Sequence, residues 1–226
     1  MSSTILFDFD GVLVDSIDIF SEAVNVAGRK IKQPVAFVPD DLRNIKRMSI
    51  PEIVEAANVD PSLSQEFIVE IERALFDRYE QIQLFPEIAR VVQQLKEVAN
   101  LGIVSATSVA VLQRVLEHQG IRQHFDEIVG GDVPGTKAQK IQRIILKNGS
   151  DQSQTCMIGD TVSDMEQGKA AGVITIAVSW GWHAIEWIRT VQPDYEAYQP
   201  QDLIDITRQH FGPNHWTPNS LKHTVN

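Results

Sequence analysis

The sequence predicts an α/β fold: a parallel sheet with helices on both faces, plus a small all-helical unit inserted after the first strand. Three features support this. Over 88–178, short apolar runs alternate with amphipathic stretches of helical period, and strands separated by helices of about 10–15 residues pair in parallel. The first strand, at 4–7, is β-branched and aromatic without a charge, as a strand covered on both faces is. Residues 16–84 then carry helical spacing and no convincing strand. The expected division is a core of 1–15 and 86–212, a helical insertion of 16–85, and a polar tail of 213–226.

Taken in order, the first strand runs into Asp8 and Asp10. Strand side chains alternate, so these carboxylates point to the same side. Gly11 marks a sharp turn, since only glycine takes positive φ without a steric penalty. Phe20, Ala23, Val24 and Ala27 recur at helical spacing over 17–30. Pro34, Pro39 and Asp40-Asp41 mark a loop and a helix start, and Ser49-Ile50-Pro51-Glu52 a second start with Ser49 as N-cap. A longer helix is expected over 61–83, with Phe67, Ile71, Ala74 and Leu75 on one face and Glu66, Glu70, Arg73 and Asp77 on the other. Phe85-Pro86-Glu87 punctuates its end. Ile88, Val91, Val92, Leu95 and Val98 then form a helix face, and 100–105 reads as a strand. Ser108 caps a helix stopped by Gly120, 125–129 is a short strand, and 136–148 a helix ended by Gly149. Residues 155–158 form a strand leading into Gly159-Asp160, 165–171 a helix closed by Gly172, and 173–178 the last strand. From Gly212 the chain is polar with two prolines and is expected to be poorly ordered.

Composition narrows the function. The 226 residues are 43% hydrophobic and 22% charged, as in a soluble globular protein. Thirty acids against 20 bases give a net charge of −10, which argues against a broad nucleic-acid footprint but not against a small anion at a local positive site. The single cysteine, Cys156, excludes a disulfide framework and fits a reducing, cytoplasmic setting. Aspartates interrupt the first apolar run, so a signal peptide is not expected. No uncharged apolar run approaches the roughly 18 residues of a membrane span. Asn148-Gly149-Ser150 reads as a helix-ending turn rather than a glycosylation site. No oligomeric state is predicted.

In open parallel sheets ligands bind beyond the carboxyl ends of the strands. The expected strands end on Asp8 and Asp10, on Ser105 and on Asp160. Carboxylates that close repel unless a shared proton or a cation intervenes, and oxygen ligands favour Mg²⁺. Ser105, with Ala106, can offer a hydroxyl and an N–H to a phosphoryl oxygen just before a helix; Thr107 is a neighbour able to substitute. Lys137 falls in the first turn of a helix, where a cation opposes the dipole and points to a compensating anion. Lys140, one turn on, is the weaker choice. Residues 130–137 narrowly miss a nucleotide P-loop, with Thr136 and Lys137 in the wrong order. Asp160 and Asp164, four apart at a helix start, stack on one face; Asp164 is either a ligand or a support for the lysine or a metal-bound water. The Arg43, Lys46, Arg47 cluster reads as a solvated face, with contact to an anionic substrate group as the alternative. The six histidines show no metal spacing and carry no expected role.

Asp8-Phe9-Asp10-Gly11-Val12-Leu13-Val14-Asp15-Ser16 resembles the first motif of the haloacid-dehalogenase-like superfamily of phosphohydrolases. Leu101-Gly102-Ile103-Val104-Ser105 is similar to its second, Lys137 falls where its phosphate-holding lysine stands, and Gly159-Asp160 with Asp164 is similar to its acidic GDxxxD. Trp180-Gly181-Trp182 resembles a segment of the phosphoglycolate-phosphatase-like members; an aromatic core loop is the plainer alternative. The resemblance implies a Rossmann-like core under a helical cap, as in phosphoglycolate-phosphatase-like and β-phosphoglucomutase-like members. It implies Asp8 as nucleophile, Asp10 as general acid and base, and Gly11, Ser105, Ala106 and Lys137 around the phosphoryl group. Asp8, Asp10, Asp160 and Asp164 would surround Mg²⁺. The implied activity is Mg²⁺-dependent hydrolysis of a small phosphorylated metabolite, phosphoglycolate or a sugar phosphate, through an aspartyl-phosphate. Asp10 argues against dehalogenase and phosphonatase chemistry, while a phosphomutase stays open. A phospho-accepting receiver-type domain fits poorly with the insertion after the first strand and the late acid pair, and a silent scaffold with acids at every motif position.

Overall fold

The computed structural model describes residues 3–212. The chain opens with β1 (Thr4–Phe7) and β2 (Val14–Asp15), then passes through α1 (Ile17–Lys30), α2 (Pro39–Arg43), α3 (Ile50–Ala56) and α4 (Ser64–Asp77). It returns through β3 (Gln83–Leu84), α5 (Ile88–Lys96), β4 (Asn100–Val104), α6 (Val109–His118), β5 (Glu127–Val129) and α7 (Lys137–Asn148). The remainder is β6 (Thr155–Gly159), α8 (Val162–Ala171), β7 (Ile174–Val178), α9 (Ile185–Ile188), β8 (Tyr195–Ala197) and α10 (Asp202–Phe211).

Six strands form one parallel sheet in the order β5-β4-β1-β6-β7-β8. The expected α/β architecture is the one observed. The period of two along the strands sorts side chains between the layers. Ile5 and Phe7 of β1 join one apolar cluster with Val91 of α5, Leu112 of α6 and Leu203 of α10, whereas Leu6 packs with Ile141 of α7. β1 is the central strand from which the chain builds outward in both directions. Its carboxyl end is therefore a topological switch point, where an open sheet offers a crevice.

The helical stretch between β2 and β3 packs α1 on α4 and shares the larger cluster through Val24, Leu42, Phe67 and Ile71. Its helix starts follow the sequence signals: Ser49 accepts from the Glu52 N–H in a capping box, with proline just inside. Two expectations fail here. The helix expected over 61–83 is α4 alone, flanked by 3₁₀ turns at Pro61–Leu63 and Tyr79–Gln81. The Asp60 side chain takes the Ser62 N–H, and i→i+3 bonding closes each flanking turn before a full α-helical turn can form. The stretch is also not wholly helical, because Gln83–Leu84 pairs antiparallel with Val14–Asp15. This two-residue ribbon ties the chain's exit to its return. It is too short to display an alternating pattern.

Gly149 and Gly172 end their helices in the left-handed conformation as expected, at φ 60° and 77°. α8 begins three residues earlier than expected, because Thr161 and Asp164 form its capping box. The sixth strand, β8, and the helices α9 and α10 were not among the expected elements. Tyr195–Ala197 is a three-residue strand at the sheet's end, and two of its residues are half-buried. The expected poorly ordered tail, 213–226, lies outside the described residues. No helix among the described residues is long and apolar enough to cross a membrane.

Candidate active site

The site forms where β1, β4 and β6 end. Ile5, Leu6 and Phe7 are wholly buried, worth about 1.5–3 kcal/mol each. The Asp8 N–H extends the ladder to the Ile158 carbonyl (2.8 Å), and the Phe9 N–H binds Asp8 Oδ1 (2.8 Å). Asp8 thereby points into the crevice with a nearly buried side chain, 13% exposed.

Asp160 ends the neighbouring strand and is 1% exposed. Its Oδ2 accepts from the Trp182 N–H (2.7 Å), while Oδ1 is buried without a partner. Gly11 and Gly181 press against it: a Cβ on Gly11 would lie 2.0 Å from Asp160 Oδ2, and one on Gly181 2.2 Å from its Cβ. Gly11 turns the chain at φ 74° as the sequence predicts. Its backbone abuts Asp160, which lines the cavity.

Asp164 lies opposite, 2% exposed, with Oδ1 on Lys137 Nζ (2.5 Å) and Oδ2 taking the Thr161 N–H and hydroxyl (3.1 and 2.6 Å). Lys137 Nζ also reaches Asp8 Oδ2 at 3.1 Å. One carboxylate oxygen from each of Asp8, Asp160 and Asp164 lies within 4.8 Å of the others. Asp160 and Asp164 do not stack on one helical face: Asp160 precedes the N-cap Thr161, and Asp164 is the third residue of the helix.

Three carboxylates gather beside one ammonium, which pairs with Asp8 and Asp164 but not with Asp160. Burial, with Asp164 and Asp10 beside it, pushes Asp8 up to about 7, against the pull of Lys137. Burial and the same kind of crowding hold Asp160 well above the usual carboxylate range. Burial opposes the Lys137 charge, but Asp164 and Asp8 outweigh it and raise the amine. The excess negative charge, the all-carboxylate donor set and the orphaned Asp160 Oδ1 together fit a hard divalent cation such as Mg²⁺.

Asp10 is the exception among the four acids expected around that ion. Its Oδ1 accepts from the Ser16 hydroxyl and Oδ2 from the Thr107 hydroxyl, both at 2.6 Å. The strand has ended by then, and Asp10 sits in a turn bridged to Val14, so strand alternation does not aim it. Burial raises its pKa, with the two hydroxyls pulling the other way. Its carboxyl thus faces the same cavity as Asp8 but outside the carboxylate trio.

Ser105 is buried, its hydroxyl accepting the Thr107 N–H (3.1 Å), and Ala106 is exposed at the cavity wall. Gly131 makes this turn possible, since a Cβ there would meet the Ala106 carbonyl oxygen at 1.9 Å. Lys140 turns away to the Gly130 carbonyl (2.7 Å).

Asp8, Asp10, Ser105, Ala106, Lys137, Asp160 and Asp164 line a cavity of 140 Å³ roofed by the helical stretch. Phe20, Met48, Ile53, Ile68 and Ile71 supply apolar wall, and Arg47 and Glu72 supply charge. Trp182 contributes an indole edge-on to Phe20 (5.4 Å), its Nε1 buried and unpaired. Sequence reasoning missed Glu72, which binds the Ser108 N–H and hydroxyl at the start of α6. The available signal was its position four residues after Ile68, beside the apolar stripe of α4. It also missed His183, 1% exposed, which joins Val162 to Ile45.

A sequence model of haloacid dehalogenase-like hydrolases matches residues 5–178. The phosphoglycolate phosphatase of Synechococcus elongatus is 28% identical over 209 residues, covering 91% of this chain and 97% of its own. That of Vibrio cholerae is 27% identical over 216 residues, covering 89% and 95%. Among solved structures, a haloacid dehalogenase-like hydrolase from Streptococcus pneumoniae aligns with a TM-score of 0.81 at 23% identity, over 91% of this chain and 98% of its own. A hydrolase from Pseudomonas syringae aligns at 0.77 and 17%, over 92% and 98%. At these identities the two structures speak for the fold.

Proposed function

The chain belongs to the haloacid dehalogenase-like hydrolase family, and on that premise we propose that it is a phosphatase acting on a small phosphorylated metabolite with Mg²⁺ and an aspartyl-phosphate intermediate. The observation that carries this reading is the convergence of Asp8, Asp160 and Asp164 within 4.8 Å, with Lys137 joining Asp8 to Asp164 at the cavity. Asp8 and Asp160 would hold Mg²⁺, with Asp164 fastened beside them by Lys137 and Thr161. The ion would supply positive charge against the phosphoryl oxygens as they develop charge in transfer.

Asp8 attacks phosphorus and forms an acyl-phosphate while the bond to the leaving oxygen breaks. Asp10, with its raised pKa, delivers its proton to that oxygen and releases the alcohol. The resulting Asp10 carboxylate then takes a proton from water, whose oxygen attacks the acyl-phosphate and frees phosphate and Asp8. A positioned acid/base typically contributes about 10²–10⁴-fold. Ser105 and Ala106 line the cavity where a phosphoryl oxygen would sit, and Lys137 balances its charge. Residues 16–85 act as a cap that excludes water and selects the leaving group.

We take 2-phosphoglycolate as the first substrate to try. The curated relatives described above are phosphoglycolate phosphatases. The cavity is small, and Arg47 is the cap's basic group at its wall, suited to a short carboxylate tail. A single buried cysteine, Cys156, suits a reducing compartment such as the cytoplasm.

Phosphate release from p-nitrophenyl phosphate, 2-phosphoglycolate and a sugar-phosphate panel, with and without Mg²⁺, tests the reading. Mg²⁺-dependent turnover is expected, with Asp8→Asn lowering kcat at least about 10³-fold. Turnover that survives Asp8→Asn, or no turnover on any ester, overturns it.

A further inference from the structure

His183 follows the last wall residue, Trp182, and is 1% exposed. Its Nδ1 lies 3.2 Å from the Val162 N and its Nε2 2.9 Å from the Ile45 carbonyl oxygen. A peptide N–H can only donate and a carbonyl can only accept. The ring is therefore neutral, with its hydrogen on Nε2. Burial, which disfavours the imidazolium, agrees with that state.

The two partners belong to different parts of the molecule. Val162 opens α8, where the first N–H groups have no partner within the helix; Asp164 stands two residues on. Ile45 lies between α2 and α3, just ahead of Arg47 and Met48, which line the cavity. The ring is also pinned by Trp187, 4.7 Å away. The Arg47 N–H is held within the helical stretch by the Glu52 carboxylate (3.0 Å). Its guanidinium reaches Glu166 of α8 at 3.7 Å between exposed side chains, and such pairs are weak and screened by salt. The buried imidazole is the firmer link.

We propose that His183 is a positioning residue for substrate selection: it fixes the 44–49 segment so that Arg47 and Met48 form the wall against the leaving group. The ring touches no reacting atom and acts through Arg47. This rests on the phosphatase reading above, and the test separates the two. His183→Phe keeps the ring and removes both hydrogen bonds. It is expected to speed amide hydrogen exchange across 44–49 while leaving exchange in β1 unchanged. It is also expected to raise KM for 2-phosphoglycolate about tenfold, the worth of roughly one net hydrogen bond, with kcat for p-nitrophenyl phosphate within about threefold of wild type. In an Arg47→Ala background the same substitution should change KM little, as for two residues acting in one unit.

Unchanged exchange at 44–49, or an undiminished KM effect in the Arg47→Ala background, overturns the proposal. Equal losses on both esters would do so too, leaving His183 as a prop for α8. If wild type hydrolyses p-nitrophenyl phosphate but not 2-phosphoglycolate, only the choice of substrate fails, and the exchange result still decides the role of His183. Should the Phe variant not fold, ¹⁵N-histidine NMR of the wild-type protein decides instead. A neutral Nε2–H ring is expected, and an Nδ1–H ring contradicts it.

Discussion

Lys137 is the residue on which the site's charge balance turns. It is 15% exposed and lies within 3.1 Å of Asp8 and 2.5 Å of Asp164. Removing the ammonium leaves two mostly buried carboxylates uncompensated, an error that typically costs about 3–5 kcal/mol. Lys137→Met is therefore expected to lower the melting temperature markedly and to reduce kcat, with part of the stability returning when Mg²⁺ is added. Calorimetry with and without the ion checks this. Asp8 gives the pH dependence. Its carboxyl is raised to about 7 from an unfolded value of 3.8, so folding favours the protonated form, and that stabilisation fades as pH rises from about 4 through 7. The metal-free protein should melt lower at pH 8 than at pH 6. Mg²⁺ should raise the melting temperature more at pH 8 than at pH 5.5, since its ligands must be ionised. An equal Mg²⁺ effect at both values would count against the carboxylate trio as the ion's seat. Asp8, Lys137, Asp160 and Asp164 were legible in the sequence because each stands at a strand end or helix start with its motif intact. Glu72 and His183 were not. Glu72 stands among Glu66, Glu70 and Arg73 on a helix, and only the packing of α4 against α6 turns it inward.

At the scale of elements, the start of α6 shows how α4 of the helical stretch meets the rest of the molecule. Ser108 is the N-cap residue, as expected, yet its side chain makes no capping bond and its hydroxyl donates to Glu72 of α4. Glu72 also accepts the Ser108 N–H, placing a carboxylate at a helix N-terminus. Glu72→Ala should cost about 1–2 kcal/mol, the range for losing a cap, measurable by urea unfolding, and should loosen α4 more than α5 in hydrogen exchange. A loss spread evenly over both helices would contradict a local role. Gly11 links elements as well: Gly11→Ala would force a Cβ to within 2.0 Å of Asp160 Oδ2 at φ 74°. It is expected to lower both stability and activity, while Gly149→Ala, with nothing within 4 Å, should lower stability alone. α1 was readable to the residue over Ile17–Lys30 from its apolar stripe, whereas the capped α8 began three residues before its expected start. α4 came out shorter because 3₁₀ turns and α-turns share the same short-range spacing. β8 escaped notice because three residues at a sheet's end need little hydrophobic pattern.

For the whole molecule, the alternation of strands and helices fixed the sheet and its two faces, and β1 at the centre of the strand order explains why the motifs meet. Residues about 150 apart in the chain, Asp8 and Asp160, become neighbours because β1 and β6 pair in parallel and end at the same level. The seating of the helical stretch on the core was not legible. It depends on pairs such as Ile45 with His183 and Glu72 with Ser108, which no periodicity announces. In the proposed reaction Asp8 is the nucleophile that accepts the phosphoryl group, beside Asp160, Asp164 and Lys137. Rapid acid quench during turnover with Mg²⁺, followed by peptide mass spectrometry, tests this most directly. A phosphoryl group on the Asp8 side chain, absent in Asp8→Asn, is the expected result; phosphate released with the group on another residue, or with no protein adduct at any quench time, would contradict it.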